Sequence, residues 1–398
     1  MAVSEELHSL PFERPSVVDP APLLLELLSR GPLSRVRTPA GDLAWLVMGY
    51  EQVKALFDDH RLGRSHPDPA NAPRYGSSAF FSGPVQSPDT ERADHAQFRR
   101  LLTPSFMVKR MNALRPAIQA VTDDLLDQLA AGTPPADLHT ALSVPLPVLV
   151  ICELLGVPLE DRERFCEYTD DASNLYDAAR AASGYRKLHE YVDELIERKR
   201  RAPAEDVISD LVTASERGEA ISDAHMTRIA GGLLFAGHET TTARLDLGAL
   251  LMLTHPDQRE LLARDPSLVI GLADEVVRRA VPAQGILLRY AARDIELAGE
   301  TIRAGDLVLL AIAAADFDPG AFHEPERFDI RRHPNQHVGF AHGNYFCLGA
   351  GLARAEIQIG LGTLFRRFPT LDLAVPVAEL RARSESLTGG ITALPVTW

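Results

Sequence analysis

Cys347 is the residue of greatest chemical reach in this 398-residue chain. It stands in Phe340-Ala341-His342-Gly343-Asn344-Tyr345-Phe346-Cys347-Leu348-Gly349, just ahead of Leu352, Ala353, Ala355, Ile357 and Ile359, an apolar run with helical spacing. A helix start offers unpaired N–H groups and the positive end of its dipole, and both favour thiolate over thiol. Gly343 and Gly349 let the backbone turn sharply there. Position alone also describes a buried free cysteine, a common state for that residue.

Ala236-Gly237-His238-Glu239-Thr240-Thr241-Thr242 forms a second group, set in an apolar stretch. Glycine inside a helix costs about 1 kcal/mol relative to alanine. A hydroxyl there can bond the carbonyl one turn back and open the helix locally. An acid followed by a hydroxyl in apolar surroundings suits proton delivery to a buried centre. His238 beside Glu239 could also bind a metal, but no HExxH spacing follows. Glu275 and Arg278 share a helix face and can pair. His95 and Arg99 lie one turn apart. Taken singly, these last two pairs are ordinary features of a solvated surface.

Helical periodicity must position most of these groups. Arg115–Leu129 reads as an amphipathic helix through Ile118, Val121, Leu125 and Leu126. Tyr185–Arg201 reads likewise, and its basic end suits a helix C-terminus. The longest helix is expected over Ser222–Thr254, capped by Ser222 or Asp223. Its centre, Ala230–Ala236, is apolar all round, so it should cross the middle of the protein. After residue 280 the texture becomes strand-like: Leu287–Ala291, Ile295–Leu297 and Thr301–Arg303, divided by Gly299 and Gly305. Residues 316–346 show little periodicity, and so long an irregular stretch in a compact domain is usually functional. A final helix is expected over Leu348–Phe365. The fold class is mainly α with small β-sheets (α+β), with β structure near 30–65 and 285–310, in a single domain spanning 1–398.

The chain carries 41 basic and 55 acidic residues, a net charge of −14. That balance argues against nucleic acid or anionic lipid as the main partner. Three cysteines cannot build a disulfide framework, which points to a reducing, cytoplasmic setting. The N-terminal residues lack the basic and apolar regions of a secretory signal. The longest apolar stretch, 141–156, is broken by Pro145 and Pro147 and is too short to span a bilayer.

The four motifs together, in order and over nearly the whole chain, resemble those of bacterial class I cytochromes P450, the haem-thiolate monooxygenases. The resemblance rests on Phe340, Gly343, Cys347 and Gly349 in the haem loop and on Ala236–Thr241 in the central helix. It rests further on Glu275-x-x-Arg278, on Pro325-Glu326-Arg327-Phe328, and on His95, Arg99 and Arg289. It implies haem b (iron protoporphyrin IX) beneath a long central helix, with Cys347 as the proximal thiolate and metal ligand. Such a ligand favours O–O cleavage. Ala236, Gly237 and Phe340 would border the haem, and Thr240 and Glu239 would manage protons. His95, Arg99 and Arg289 would meet the propionates. Glu275, Arg278 and Arg327 would hold the loop that presents Cys347. Two departures stand out: Ala341 replaces a usual glycine, and Tyr345 replaces a usual His or Arg, offering a phenolic hydroxyl in place of a charge. The stretch before Asp316 often reads Asn-Arg; here it is Ala314-Ala315.

The resemblance also implies a pocket roofed by residues 77–86, including Phe80, Phe81 and Val85. Its other walls would be Leu233, Ala236, residues 283–288 with Ile286 and Leu287, and residues 387–391 with Thr388. Mostly apolar or small, these suit a bulky lipophilic guest: a macrolide, other polyketide or peptide of secondary metabolism, hydroxylated or epoxidised with O2. The chain ends about 50 residues after the cysteine, leaving no room for a flavin reductase domain. A separate ferredoxin and NAD(P)H ferredoxin reductase are therefore expected, with a basic patch of Arg99, Arg100 and Arg354 near the Cys347 loop. Two other readings compete: a haem-free scaffold of the same fold that recruits a partner, and a helical metallohydrolase using His238 and Glu239.

Overall fold

The computed structural model describes residues 7–80, 83, 84, 88–219, 221–280, 282 and 285–398. Thirteen α-helices occur among the described residues. They are α1 Pro22–Arg30, α2 Tyr50–Asp58, α3 Glu91–Leu102, α4 Val108–Ala131, α5 Pro145–Leu155, α6 Arg162–Ala172 and α7 Ala178–Arg201. Then follow α8 Val207–Glu216, α9 Asp223–Thr254, α10 Pro256–Arg264, α11 Val269–Arg279, α12 Ile312–Ala315 and α13 Ala350–Arg367.

A six-stranded sheet joins distant parts of the chain. It takes β1 His8–Ser9, β2 Leu33–Arg37, β3 Leu43–Val47 and β4 Leu62–Gly63, all from the first 63 residues. Three short strands elsewhere, β5 Ala136–Asp137 and the later β10 Asp372–Leu373 and β11 Pro395–Thr397, form a separate three-stranded sheet. From the second half come β6 Ile286–Ala291 and, after the β7 Ile295–Leu297 and β8 Glu300–Ile302 hairpin, β9 Leu307–Ala311. The order in the large sheet is β1-β2-β3-β9-β6-β4. Strand β9 is buried along its whole length. Leu307, Leu309 and Ala311 pack into one apolar cluster, and Val308 and Leu310 into another on the opposite face. Alternation of side chains across a pleated strand requires this division, and it explains the unbroken apolar run in the sequence.

The long helix forms as expected. Ser222, not Asp223, caps α9, its hydroxyl accepting from the His225 N–H. Two glycines let neighbours press against α9. A Cβ on Gly237 would lie 2.4 Å from Ile151 Cδ1 of α5, and one on Gly248 would lie 2.8 Å from Leu361 Cδ1 of α13. Helix α4 starts seven residues before the expected Arg115 and runs through Pro116. The proline gives up one backbone bond, but Met111 before it and Ile118 and Leu125 after it share the same core. Residues 316–346 are irregular as expected, apart from a 3₁₀ turn at Gly343–Tyr345. No described helix is long and apolar enough to cross a membrane.

The inner face of α13 carries a buried acid, Glu356. Neither of its oxygens makes a hydrogen bond, although the Thr241 hydroxyl of α9 is near. Burial pushes its carboxyl up to about 8, against a small opposing pull from Thr241. The folded protein thus keeps a proton that the unfolded chain releases from about pH 4.5 upward, so stability falls as pH rises across that window. Glu356→Gln should remove this slope. Between pH 6 and 8 the parent is expected to lose roughly 2–4 °C of melting temperature more than the variant, a difference read by thermal denaturation of the holoprotein.

Candidate functional site

The Cys347 loop is a tight backbone structure. The Cys347 N–H donates to Phe340 O at 2.8 Å, closing the segment between them. Ala341 and Gly343 both adopt positive φ, 59° and 58°. A Cβ on Gly343 would displace the Asp58 carboxylate of α2, and its positive φ favours glycine there. Helix α13 begins three residues after the cysteine. Burial is the largest influence on the thiol and raises it above its usual value; the Gly349 N–H, Arg99 and Arg354 pull the other way. Cys347 keeps accessible surface, and the Gly349 N–H is the contribution expected of a helix start. A sulfur so placed becomes anionic by binding a cation directly, as a coordinating thiol does. Phe340 lies beside it, edge-on to Phe346 at 6.3 Å, with the Arg354 guanidinium 4.6 Å from its ring centre.

Helix α9 presents one open face. Leu233, Ala236, Gly237, Thr240 and Arg244 keep accessible surface, whereas Leu234, Phe235, His238, Glu239, Thr241, Thr242 and Ala243 are buried. The open residues follow i, i+3, i+4, i+7, i+11 spacing, a single helix face. Since the helix crosses the protein interior, that face borders internal space. The Thr240 hydroxyl donates to Ala236 O at 2.8 Å, the back-bond expected of it. Glu239 points away from this face. Its carboxylate accepts from Thr388 at 2.7 Å and lies 3.5 Å from both Arg383 and His238 nitrogens. Burial alone would raise this carboxyl, but His238, Arg383 and Thr388 hold it far below the usual range. Both nitrogens of His238 are engaged, Nδ1 with Leu234 O at 2.7 Å and Nε2 with the Thr169 hydroxyl at 3.3 Å. Neither is free to ligate a metal, so the metallohydrolase reading loses its ligand.

A third group is cationic. His95, Arg99 and Arg289 converge with Arg64, which the motifs did not indicate, and with one acid, Glu91. Burial, then Arg64 and Arg99, push His95 down to about 4. Burial and then Arg64 lower Arg289 to about 10. Tyr345 lies against the Arg289 guanidinium at 4.6 Å and the His95 ring at 4.6 Å, and its hydroxyl donates to Glu91 at 3.2 Å. Buried like charges repel and call for anions beside them. Such a cradle suits the carboxylates of a macrocycle whose metal meets Cys347. Among the described residues no three His, Cys, Asp or Glu side chains gather to hold a metal ion.

Glu275 and Arg278 anchor the loop from below. Both side chains are fully buried and pair at 2.7 Å. Arg278 also donates to the carbonyls of Asp316, Pro325 and Arg327. Glu275 accepts from Asp329 N–H and Asn335. The expected role of Arg327 is corrected: its side chain is half exposed and pairs with Glu324. Arg332, five residues on, reaches Glu275 at 3.3 Å and donates to the carbonyls of His323, Glu324 and Arg327. Arg327 contributes its carbonyl while Arg332 supplies the charge, because the turn at Asp329–Arg332 aims the later side chain inward.

Of the pocket residues, Phe80 stacks on Phe235 at 4.0 Å and meets Tyr185 edge-on at 5.8 Å. Leu233, Ile286, Leu287 and Thr388 keep partial exposure. Phe81 and Val85 lie outside the described residues. The expected basic patch is muted: Arg100 pairs with Glu219 at 2.6 Å and Arg354 with Asp274 at 2.7 Å. Arg99 donates to Phe346 O at 2.9 Å. Exposed Met107, Val108 and Phe346 make that side more apolar than anticipated.

Comparison with known proteins agrees with this geometry. The family model described as Cytochrome P450 matches residues 177–276 and 272–374. Pentalenolactone synthase of Streptomyces exfoliatus is 42% identical over 401 residues, covering 99% of this chain and 100% of that protein. Mycinamicin IV hydroxylase/epoxidase of Micromonospora griseorubida is 37% identical over 382 residues, covering 94% of each. Among solved structures, the putative thioether synthase SgvP, involved in the tailoring step of griseoviridin, superposes with a TM-score of 0.93 at 34% identity, covering 99% of this chain and 100% of that one.

Proposed function

The chain belongs to the cytochrome P450 family and is a monooxygenase, and from that premise we propose that it oxidises a bulky lipophilic secondary metabolite with O2 and electrons from a ferredoxin. The observations that support this reading are a loop-presented, accessible Cys347 ahead of α13 and an open face of α9 that carries Thr240. Haem b fits the donor set: one sulfur for iron, and a cationic cradle for two carboxylates. When bound, it supplies reductive activation of O2 and transfer of one oxygen atom to the substrate.

The protein's own groups do the rest. Leu233, Ala236, Ile286 and Leu287 offer apolar surface that positions a guest and excludes water. Relatives named for a pentalenolactone and a mycinamicin step support terpenoid or macrolide scaffolds as substrates. Screening such compounds for a low-spin to high-spin shift tests this; a library without one responder overturns the substrate class. Thr240 holds a hydroxyl proton at the open face, and Glu239, behind it, is a buried carboxylate tied to Arg383 and Thr388. Thr240→Ala should cut product formation roughly tenfold or more while electron consumption continues and hydrogen peroxide accumulates. Equal product per electron in variant and parent would remove Thr240 from proton handling.

Electrons would enter on the side of Arg99, Met107, Val108 and Phe346. Three unpaired cysteines support a reducing, cytoplasmic setting. Because Arg100 and Arg354 are already paired, ferredoxin affinity should weaken only a few-fold between about 20 and 200 mM salt. An affinity unchanged by salt contradicts an electrostatic contribution there.

A further inference from the structure

We propose that Arg64 is a cofactor-anchoring residue, taking one carboxylate of the bound macrocycle in place of the positive charge that Tyr345 does not provide. The inference rests on the haem reading above and extends it to a residue outside the four sequence motifs.

Placement comes from strand register. Edge strand β4 pairs antiparallel with β6, Leu62 with Ala291 and Gly63 with Tyr290. Arg64 follows directly, where β4 gives way to a bend, and Arg289 is the next residue of β6. The carboxylate of Glu91, at the start of α3, fixes that bend: it accepts from the Arg64 N–H at 2.7 Å, the Ser65 N–H at 3.0 Å and the Ser65 hydroxyl. The fourth donor is the Tyr345 hydroxyl, from the Cys347 loop. A Cβ on Gly63 would lie 2.5 Å from Glu91 Oε2, so only glycine leaves room for the clamp. Strand β4, helix α3 and the Cys347 loop are therefore locked together at Glu91, and the Arg64 guanidinium is carried to the wall that holds His95, Arg99 and Arg289.

Charge gives the second argument. Among the described residues, the charged groups that act most strongly on His95 are three guanidinium groups, Arg64, Arg99 and Arg289, and one carboxylate, Glu91. With His95 neutral these four carry a net charge of +2, which two carboxylates of the macrocycle would offset, and Arg64 supplies one of those charges. Tyr345 contributes a ring against Arg289 and a hydrogen bond to Glu91, neither of which supplies that charge.

Transfer of haem from the holoprotein to excess apomyoglobin reads the anchoring directly and needs no turnover. R64Q should lose haem roughly ten to a hundred times faster than the parent, the range for a charged hydrogen bond removed from a partly buried carboxylate. Tyr345→His in the R64Q background should restore most of the retention by returning a cation to the neighbouring position. R64K keeps the charge without the forked donor, should lose haem only a few-fold faster, and answers the same question if R64Q fails to accumulate. Parental retention in R64Q overturns the proposal. So does equally fast loss from R64K and from the Tyr345→His double variant, which would make Arg64 a packing residue. A parent protein that never binds haem would instead sink the monooxygenase reading itself.

Discussion

Cys347→Ala protein is expected to lose monooxygenation by roughly three orders of magnitude or more, at least about 4 kcal/mol of barrier. Any haem it retains should lack the red-shifted Soret band of a thiolate-ligated, reduced, CO-bound centre. The loop explains why no neighbour can substitute. Cys152 is buried and Cys166 is held in the helical core, both with thiols pushed up to about 12, chiefly by burial. The His337 ring lies against Phe340 and 3.5 Å from Asp274. The other potential donors within 340–349 are His342, which faces Asp58 at 3.4 Å, and Tyr345, whose hydroxyl is bonded to Glu91. Retained turnover in the alanine variant would show that the reacting centre lies elsewhere.

The second large effect concerns folding. Glu275→Gln should yield protein that is mostly haem-free and destabilised by about 3–5 kcal/mol, the usual cost of leaving one member of a buried ion pair without its partner. Arg278 would stay fully buried between the rings of Phe317 and Phe322 with its countercharge gone. The loss extends beyond one pair, since Arg332, Asn335 and the Asp329 N–H all converge on the same carboxylate. These contacts fix residues 316–346, so Cys347 should lose its position as the loop loosens. Haem content per protein and thermal midpoint measure the effect. A variant with parental haem content and a midpoint within about 1 °C would contradict the anchoring role. An additional Arg278→Met change, which removes the orphaned charge, should recover part of the stability.

Local patterns and distant ones differed in how well the chain disclosed them. Helix α9 was visible because 32 consecutive residues are helical and its middle is apolar on every side. Strand β7 fell where its short apolar piece and Gly299 placed it. The Cys347 loop was recognisable because its chemistry is concentrated in ten consecutive residues. Arg332 was hidden because it lies in irregular chain, where no period shows which of Arg327, Arg331 and Arg332 turns inward. Arg64 was hidden because its position depends on a two-residue strand pairing with β6 over 220 residues later in the chain. Arg383 and its bond to Glu239 could not be read either: the contact spans 144 residues and joins an aperiodic C-terminal turn to α9. Motif spacing located the groups that share an element; the partners that tune them come from tertiary register.

The absorption spectrum of the purified protein, reduced and treated with CO, tests most directly whether the sulfur of Cys347 is bound as thiolate to haem iron. The parent should show the strongly red-shifted Soret band of that ligation. A band at the position of nitrogen-ligated haem, or protein that stays colourless after reconstitution with haem, would contradict it.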